Sequence, residues 1–546
     1  MLVLVALLVT SSGCFGLDAG LGANGSLDTR IDFRERTDAS GLQYETNGGG
    51  AGNGNDGVYV ADFDRDGWQD VLAVGGDHPA LFRNTGGQFA RVESFPEFGE
   101  SVKGALFLDY DDDGWEDLLV LRSHDEPTLL HNANGTFERT DAELGNLTYP
   151  MGATADDYDR DGDLDLLVYQ SGDWATGKPE GYFSLYKFVR EDNGHPNVLY
   201  ENTGEGFERV HDSGLSEASR WSLAASFVDL TGDGLPDVHV ANDYNTDAVY
   251  VNDGDGTFTE RVLRGNTSRN GMASEIADVN GDGAQDVFTT NIYLPLDEVA
   301  DKERKERLRL LFGNVIKSGR TKGNTLLLND GTGNLSDRAV AFGVRQGGWG
   351  WAASLTDLDN DGDRDLIHAT QHVARIDRDD PHYTYPMLFE REGDAFENRD
   401  ASARNLTEHD GRGLVTLDYD RDGDRDVVIA PYDGEVTVYE NVGAAANSLA
   451  FRVVDAQGST VYGAEITVST ADRETVVQQT VQSDFLSQES RVTHVGLGDA
   501  ARVDLTVTWP DGTTRTFENV EANQQVRVTK DGVEPVRETG DSADSR

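Results

Sequence analysis

From about residue 58 to residue 440, short apolar runs of four or five residues recur, each bounded by Gly, Asn or Asp. In the first unit Val58-Tyr59-Val60-Ala61 runs into an acidic stretch, and Val71-Leu72-Ala73-Val74 leaves it. Leu81-Phe82-Arg83-Asn84 and Phe89-Ala90-Arg91-Val92 follow across a Gly-Gly turn. Runs this short, punctuated by turn residues, predict strands. Four strands per unit is the composition of a propeller blade. Third- and fourth-strand signatures recur at 130–137, 199–207, 250–258, 327–335 and 388–396.

Between the first two strands of each unit lies one grammar, D-x-[DNT]-x-D-G-x-x-D. It begins at Asp62, Asp109, Asp157, Asp229, Asp278, Asp357 and Asp418. Self-similarity at this period marks a repeat architecture. The spacings are uneven, but each gap carries a single third-and-fourth-strand signature, so seven blades with insertions are expected. The insertions are an aromatic-rich stretch at 171–196, with Trp174, Tyr182, Phe183, Tyr186 and Phe188, and a basic stretch at 292–323 predicted to hold a helix over 296–312. The last unit has no fourth strand of its own. The segment Asp32-Phe33-Arg34-Glu35 resembles the fourth-strand segment Phe207-Glu208-Arg209-Val210, so an N-terminal strand is expected to complete the final blade and remove the exposed edges.

Alternate loop positions 1, 3 and 5 converge three side-chain oxygens, Gly at 6 permits the turn, and Asp at 9 closes the cage. Oxygen donors of this kind suit Ca²⁺, with Mg²⁺ as a substitute. The expected ligands are Asp62, Asp64, Asp66 and Asp70; Asp109, Asp111, Asp113 and Asp117; Asp157, Asp159, Asp161 and Asp165; Asp229, Thr231, Asp233 and Asp237; Asp278, Asn280, Asp282 and Asp286; Asp357, Asp359, Asp361 and Asp365; and Asp418, Asp420, Asp422 and Asp426. Thr231 and Asn280 replace a carboxylate, so the fourth and fifth sites are expected to be weaker.

Composition strengthens the cation reading. The 546 residues carry 99 Asp+Glu against 46 Lys+Arg, a formal charge of −53. That argues against nucleic acid as a partner and for cations or salty surroundings. The apolar run over residues 2–9 is too short to span a bilayer and sits where a secretory signal belongs. It ends at Ser11-Ser12-Gly13-Cys14, which resembles a lipobox, and Cys14 is the only cysteine. The expectation is a lipoprotein outside the cell, touching the membrane only through a lipid at Cys14, with residues 15–29 as a flexible tether.

After a linker at 442–447 a β pattern without aspartate loops begins. Its marks are Phe485-Leu486-Ser487-Gln488, His494-Val495-Gly496-Leu497-Gly498 and Trp509-Pro510-Asp511-Gly512. With these motifs the chain resembles proteins with FG-GAP-like (VCBS) repeats followed by an ASPIC/UnbV domain, the cartilage acidic protein-like group. The resemblance covers 32–530 and implies a secreted or surface calcium-binding protein without an established catalytic role. The Phe-Gly and Gly-Ala-Pro elements of integrin repeats are not evident, so integrin-like recognition is not carried over.

The expected fold is therefore all-β: a seven-bladed propeller with calcium-binding loops at 30–441, then a small β-sandwich-like domain at 448–531 and an acidic disordered tail at 532–546. The expected function is a monomeric, non-catalytic binding or adhesion scaffold for a protein or glycan. The alternative is an extracellular carbohydrate-active lyase or hydrolase with its site at the propeller funnel. Gly52-Asn53-Gly54-Asn55-Asp56-Gly57 matches a dinucleotide fingerprint but precedes a strand instead of opening a helix. His368 and His372 lie in a strand region, where their spacing makes no zinc face.

Overall fold

The computed structural model describes residues 31–48, 56–98, 102–172, 193–204, 206–261, 263, 268–294, 302–303, 305–306, 309, 322–371 and 385–536. Cys14 and its signal, most of both insertions, His372 and the last ten residues lie outside them. Of the helix expected at 296–312, the described residues Lys302, Glu303, Lys305, Glu306 and Arg309 are helical.

Seven four-stranded antiparallel units make up the repeat region. Their innermost strands are Gly57–Ala61, Val102–Leu108, Pro150–Asp156, Ser219–Val228, Glu275–Ala277, Gly350–Thr356 and Gly411–Leu417. Each packs beside the next, and the seventh packs beside the first, so the ring is closed. The protein is a β-propeller.

Blades stack face to face, so their central strands are buried on both sides and read as continuous apolar runs instead of alternating ones. The second strand of blade one, Asp70–Val74, shows how this works. Val71 and Ala73 join a core shared with Val428 and Val438 of blade seven. Leu72 and Val74 turn the other way, into a core with Phe107 and Val120 of blade two. The outermost strands bury only their first residue, as at Phe89, Phe137 and Phe207. Phe33–Glu35 pairs antiparallel with Thr437–Asn441 and supplies the outer strand of blade seven.

The C-terminal module is a sandwich of two four-stranded sheets. They close over Leu449, Phe451, Ile466, Val468, Leu505, Val507, Trp509 and Val526. Its last strand is Val533–Pro535, paired with Gln525–Val528, so the ordered module extends beyond residue 531, where the sequence reading ended it. Residues 532–535 are Gly-Val-Glu-Pro, too short a run to read as a strand, and pairing with partners 5 to 9 residues upstream gives them structure.

One hairpin leaves the sandwich and runs down the axis of the ring. Its strands are Ser483–Asp484 and Ser487–Gln488, with buried Phe485 and Leu486 at the tip. Val58 N–H of blade one donates to Leu486 O at 3.1 Å. In blade two, Phe107 exchanges two hydrogen bonds with the Gln488 amide, at 2.8 and 3.0 Å. Ser483 Oγ donates to Ala153 O of blade three at 2.8 Å, and Ser483–Asp484 packs against the inner strand of blade four. The Asp484 carboxylate accepts Ser274 N–H of blade five at 2.8 Å and Ala353 N–H of blade six at 2.7 Å. Glu489 accepts Thr416 N–H of blade seven at 3.1 Å. The hairpin thus ties all seven blades to one element, and the funnel to which the catalytic alternative assigned its site is filled by protein. The inner strands keep glycine where the hairpin comes closest: a Cβ on Gly57 or Gly413 would fall 2.6 or 2.7 Å from Leu486 O.

Candidate metal centre

All seven aspartate loops connect the first and second strands of a blade, so they ring one end of the propeller. Each is built by the same internal bonds. The first-position carboxylate accepts the N–H of the sixth-position glycine, at 3.1 Å for Gly67, 3.0 Å for Gly114, 3.1 Å for Gly162, 2.8 Å for Gly234, 2.9 Å for Gly283, 2.8 Å for Gly362 and 3.2 Å for Gly423. These glycines have φ between 85° and 105°, apart from Gly234 at 83°, a region closed to side-chain-bearing residues at low cost. The fourth position is also left-handed. Arg65, Asp112, Arg160, Asn360 and Arg421 hold φ of 55–63° there, whereas loops four and five use Gly232 and Gly281.

The ninth-position carboxylate does two structural jobs. One oxygen accepts the N–H of the second loop residue: Phe63 on Asp70 at 3.1 Å, Tyr110 on Asp117 at 3.2 Å, Tyr158 on Asp165 at 3.2 Å, Leu230 on Asp237 at 3.0 Å, Val279 on Asp286 at 2.9 Å, Leu358 on Asp365 at 2.9 Å and Tyr419 on Asp426 at 3.0 Å. The other accepts, at 2.7–2.9 Å, the N–H of Asn84, Asn132, Asn202, Asn252, Asn329, Arg391 or Asn441 at or near the end of the third strand.

That asparagine then reaches into the previous blade. Its amide donates to the carbonyl of the second loop residue there: Asn84 to Tyr419, Asn132 to Phe63, Asn202 to Tyr110, Asn252 to Tyr158, Asn329 to Leu230 and Asn441 to Leu358, at 2.6–3.0 Å. In blade six Arg391 takes the place of asparagine and donates to Val279 O at 2.7 Å. The latch therefore passes once round the ring, loop to loop. In blades one, two, four and seven the asparagine follows the ninth-position aspartate by 14 or 15 residues, a signal present in the sequence that reasoning from ligand spacing alone overlooked; in blades three, five and six the insertions lengthen the interval to 37, 43 and 26.

The predicted ligands converge. Carboxylate oxygens of Asp62, Asp64 and Asp66, of Asp109, Asp111 and Asp117, of Asp157, Asp159 and Asp165, and of Asp357, Asp359 and Asp361 lie within 4.8 Å of one another in each group. His131, which the motif does not contain, joins the second loop with Nδ1 at 3.2 Å from Asp111 and 3.3 Å from Asp117. In loop one Arg83 lies 2.5 Å from Asp64 and 2.9 Å from Asp66 and already supplies positive charge there.

Two observations test whether a cation fits. Oδ1 of Asp357 and Oδ1 of Asp418 are buried and have no hydrogen-bond partner, a costly state for a carboxylate oxygen that a cation would relieve. Burial, reinforced by the neighbouring aspartates, also raises the proton affinity of these groups. Asp418 is pushed up to about 7 by burial and then by Asp422 and Asp420. Asp117 and Asp165 are pushed up to about 8 by burial, only partly offset by the asparagine N–H. The carboxylates that repel one another here are an oxygen-rich set suited to a hard divalent ion.

The C-terminal module sits on this end of the ring. Gly496 N–H donates to Asp357 Oδ2 at 3.1 Å, and His494 Nε2 lies 2.7 Å from Asn360 Oδ1. Ser448 Oγ donates to Gly423 O at 2.8 Å, and Arg65 donates to Gln457 O at 3.2 Å. Glu116 receives Arg491 at 3.1 Å and Arg452 at 3.4 Å, while Arg425 meets Glu489 at 3.2 Å. Glu116 and Arg425 both occupy the eighth loop position, which varies between repeats and so carried no weight in the motif. Loops four and five instead line a cleft of about 440 Å³ whose far wall is Glu465 and Gln478.

Fold and site together define a β-propeller with acidic loops on one face and a β-sandwich docked over them. The chain carries FG-GAP-like repeats, matched at residues 62–120, 109–168 and 229–289. It also carries an ASPIC and UnbV domain, matched at residues 455–535. No curated protein matches it. Among solved structures it is similar to a chain from the crystal structure of BBS1N in complex with ARL6DN, soaked with lead, at 9% identity and a TM-score of 0.42, covering 76% of this chain and 97% of that one. It is also similar to a chain of YCF48 bound to D1 peptide, at 7% identity and a TM-score of 0.38, covering 70% of this chain and 93% of that one.

Proposed function

We propose that the protein is a calcium-stapled extracellular scaffold that binds a protein or glycan and performs no catalysis. The observation that carries this reading is the filled axis. Asp484, Glu489 and Glu275, the acids at the centre of the ring, are buried and accept backbone N–H groups, so they hold the hairpin in place and meet no substrate. With one face under the C-terminal module, the opposite face is left for a partner. Residues 173–192, 295–321 and 372–384 each follow a second strand, whose end lies on that opposite face. Long insertions on a rigid frame are where recognition concentrates.

Calcium in the loops would neutralise converging carboxylates and so add folding free energy by linkage. Asp, Asn and Thr oxygens of positions 1, 3 and 5, with the ninth-position aspartate, would hold it, and its role would be to fix the loops. A lipid at Cys14 would keep the scaffold at the cell surface. The test is a glycan and surface-protein binding screen on the intact chain with Ca²⁺, against a variant in which residues 173–192 are replaced by a short Gly-Ser link. A partner retained by the first and lost by the second is expected. Turnover of a bound glycan by the intact chain would overturn the reading.

A further inference from the structure

At the end of the ring away from the aspartate loops, blade four turns from its second strand, Asp237–Asp243, to its third, Ala248–Asn252. The turn reads Asp243-Tyr244-Asn245-Thr246-Asp247, which repeats the alternation of oxygen donors found in the seven loops. No repeat motif includes it. Asp243, Asn245 and Asp247 are at most 5% exposed.

A second chain segment meets this turn. Asn270, 1% exposed, forms a bridge to Asp243, and its Nδ2 donates to Asp243 Oδ1 at 2.7 Å. The next residue, Gly271, is pressed so closely on the turn that a Cβ there would fall 2.1 Å from Asp247 Oδ1. Asp247 Oδ1 accepts Asn242 N–H at 3.0 Å, but Asp247 Oδ2 is buried without a partner, and so is Asn270 Oδ1. Two orphaned acceptor oxygens thus belong to residues of the two segments that meet at this turn. A buried acceptor without a donor costs about 1–3 kcal/mol, so two in segments that touch need an explanation. Tyr244 adds a bulky residue held at φ 64°, a conformation that persists only where the surroundings impose it. Arg220 approaches the same carboxylate electrostatically, but its guanidinium is engaged by both oxygens of Glu260, at 2.8 and 3.1 Å.

We propose that Asp243, Asn245, Asp247 and Asn270 form a further divalent-cation site of the calcium class, separate from the aspartate loops and on the opposite face. Two carboxylates and two amide oxygens give a hard oxygen-donor set. The site joins blade four to the segment entering blade five. It also sits at the root of the 171–196 insertion, because Asn245 Nδ2 donates to Asn193 Oδ1 at 2.9 Å. An ion here would hold the turn that carries Asn245 and, through it, Asn193. The site is independent of whether the seven loops are loaded.

The structure supplies its own reporter. Trp221 is fully buried, pairs across the strand with Asp243, and stacks edge-on against Tyr244 at 5.2 Å. The experiment uses the full chain with Tb³⁺, excited through indole, together with equilibrium dialysis against Ca²⁺. Asp247→Asn should lower sensitised emission and remove one bound ion per chain. Trp221→Phe should produce the same loss of emission with the ion count unchanged, and Asp161→Asn in an aspartate loop should leave the Trp221-dependent emission intact. An Asp247→Asn protein with wild-type circular dichroism, ion count and emission would overturn the proposal. Asn270→Asp adds a charge and keeps an oxygen at every position. It should shift half-saturation of the Trp221-dependent emission to roughly tenfold lower cation concentration, and an unshifted curve would also overturn the site.

Discussion

The aspartate loops share one plan, yet they fall into two groups by what lies over them. Loops six, seven, one and two are bonded to the C-terminal module through Asp357, Gly423, Arg65 and Glu116. Among the described residues, loops three, four and five make no hydrogen bond to it. Exposure separates loop six from the open group: Asp357 and Asp359 are 4% exposed and Asn360 is 1% exposed, whereas Asp159, Asp161, Asp233, Asn280 and Asp282 face solvent, as do Asp111 and Asp113 of loop two and Asp422 of loop seven at the rim of the covered group. The open group also contains the loops with a neutral third ligand, Thr231 and Asn280, and with glycine at the fourth position. Where the module covers a loop, the sequence keeps full charge and tolerates a strained residue. In the uncovered loops four and five both requirements relax, whereas uncovered loop three keeps four aspartates and Arg160 at φ 63°. The comparison teaches that identical motifs need not be equivalent sites, because the second domain decides which of them are sealed.

The largest effect tests whether cations support the whole ring. Exhaustive chelation at low salt should lower the unfolding temperature more than any single substitution, since each site loaded at about 100 times its dissociation constant contributes ~2.7 kcal/mol. The calorimetric trace in chelator should also lose its single sharp transition. A trace identical with and without bound metal would remove cations from the account of both groups.

Next comes the hairpin. Phe485 is 2% exposed and lies 4.7 Å from the Trp351 ring. Phe485→Ala should cost ~3–5 kcal/mol, the range for emptying a buried aromatic site, measured by denaturant unfolding in calcium. If the cost is below ~1 kcal/mol, the ring closes without its axial element.

The two groups can then be set against each other directly. Asp357→Ala leaves Gly496 N–H without its acceptor and empties a sealed loop, so a loss of ~2–4 kcal/mol is expected. Asp229→Ala, in an exposed loop with a neutral third ligand, should cost about 1 kcal/mol. Equal losses would break the distinction, and so would chelator stripping all bound calcium in a single kinetic phase. Gly496→Ala sharpens it: a Cβ would fall 2.1 Å from Asp357 Oδ2. That variant should release the module from loop six and accelerate calcium loss from the covered group alone.

Most of the ring was legible in the sequence because its signals are local and repeated. Apolar runs, Gly and Asn turns and the aspartate grammar place the strands, and the likeness of residues 32–35 to 207–210 points to the strand that closes blade seven. The docking was not legible. Asp484 meets Ser274 and Ala353, which lie 210 and 131 residues away in sequence. Such pairings leave no period, and the Phe-Leu-Ser-Gln motif marks the C-terminal module without telling what it packs against. The eighth loop position was set aside for the same reason. Three of its residues meet different parts of a single, non-repeating partner: Gln69 meets Ser490, Glu116 meets two arginines, and Arg425 meets a glutamate. His131 and Arg83, which modify loops two and one, sit on third strands where nothing in the motif points to them.

The smallest expected effect concerns the acid at the centre of the axis. Burial pushes Asp484 up to about 7, against the N–H groups of Ala353, Ser274 and Phe485 that favour its charged form and with Glu489 adding repulsion. Glu275, also raised by burial and then by Asp484, faces it. A carboxyl bound to its proton more tightly in the fold than in the unfolded chain stabilises the fold fully only below the unfolded value, about 3.9. As pH rises from there to about 7, that contribution is lost, and above it the curve flattens. Asp484→Asn holds the group neutral throughout but turns a donor toward one of these N–H groups. The variant should therefore be less stable than wild type by about 1 kcal/mol at pH 5, and the gap should narrow by pH 8. Thermal unfolding at fixed, saturating calcium across that range reads the difference, and a gap that widens with pH would mean that Asp484 is charged when the hairpin is docked.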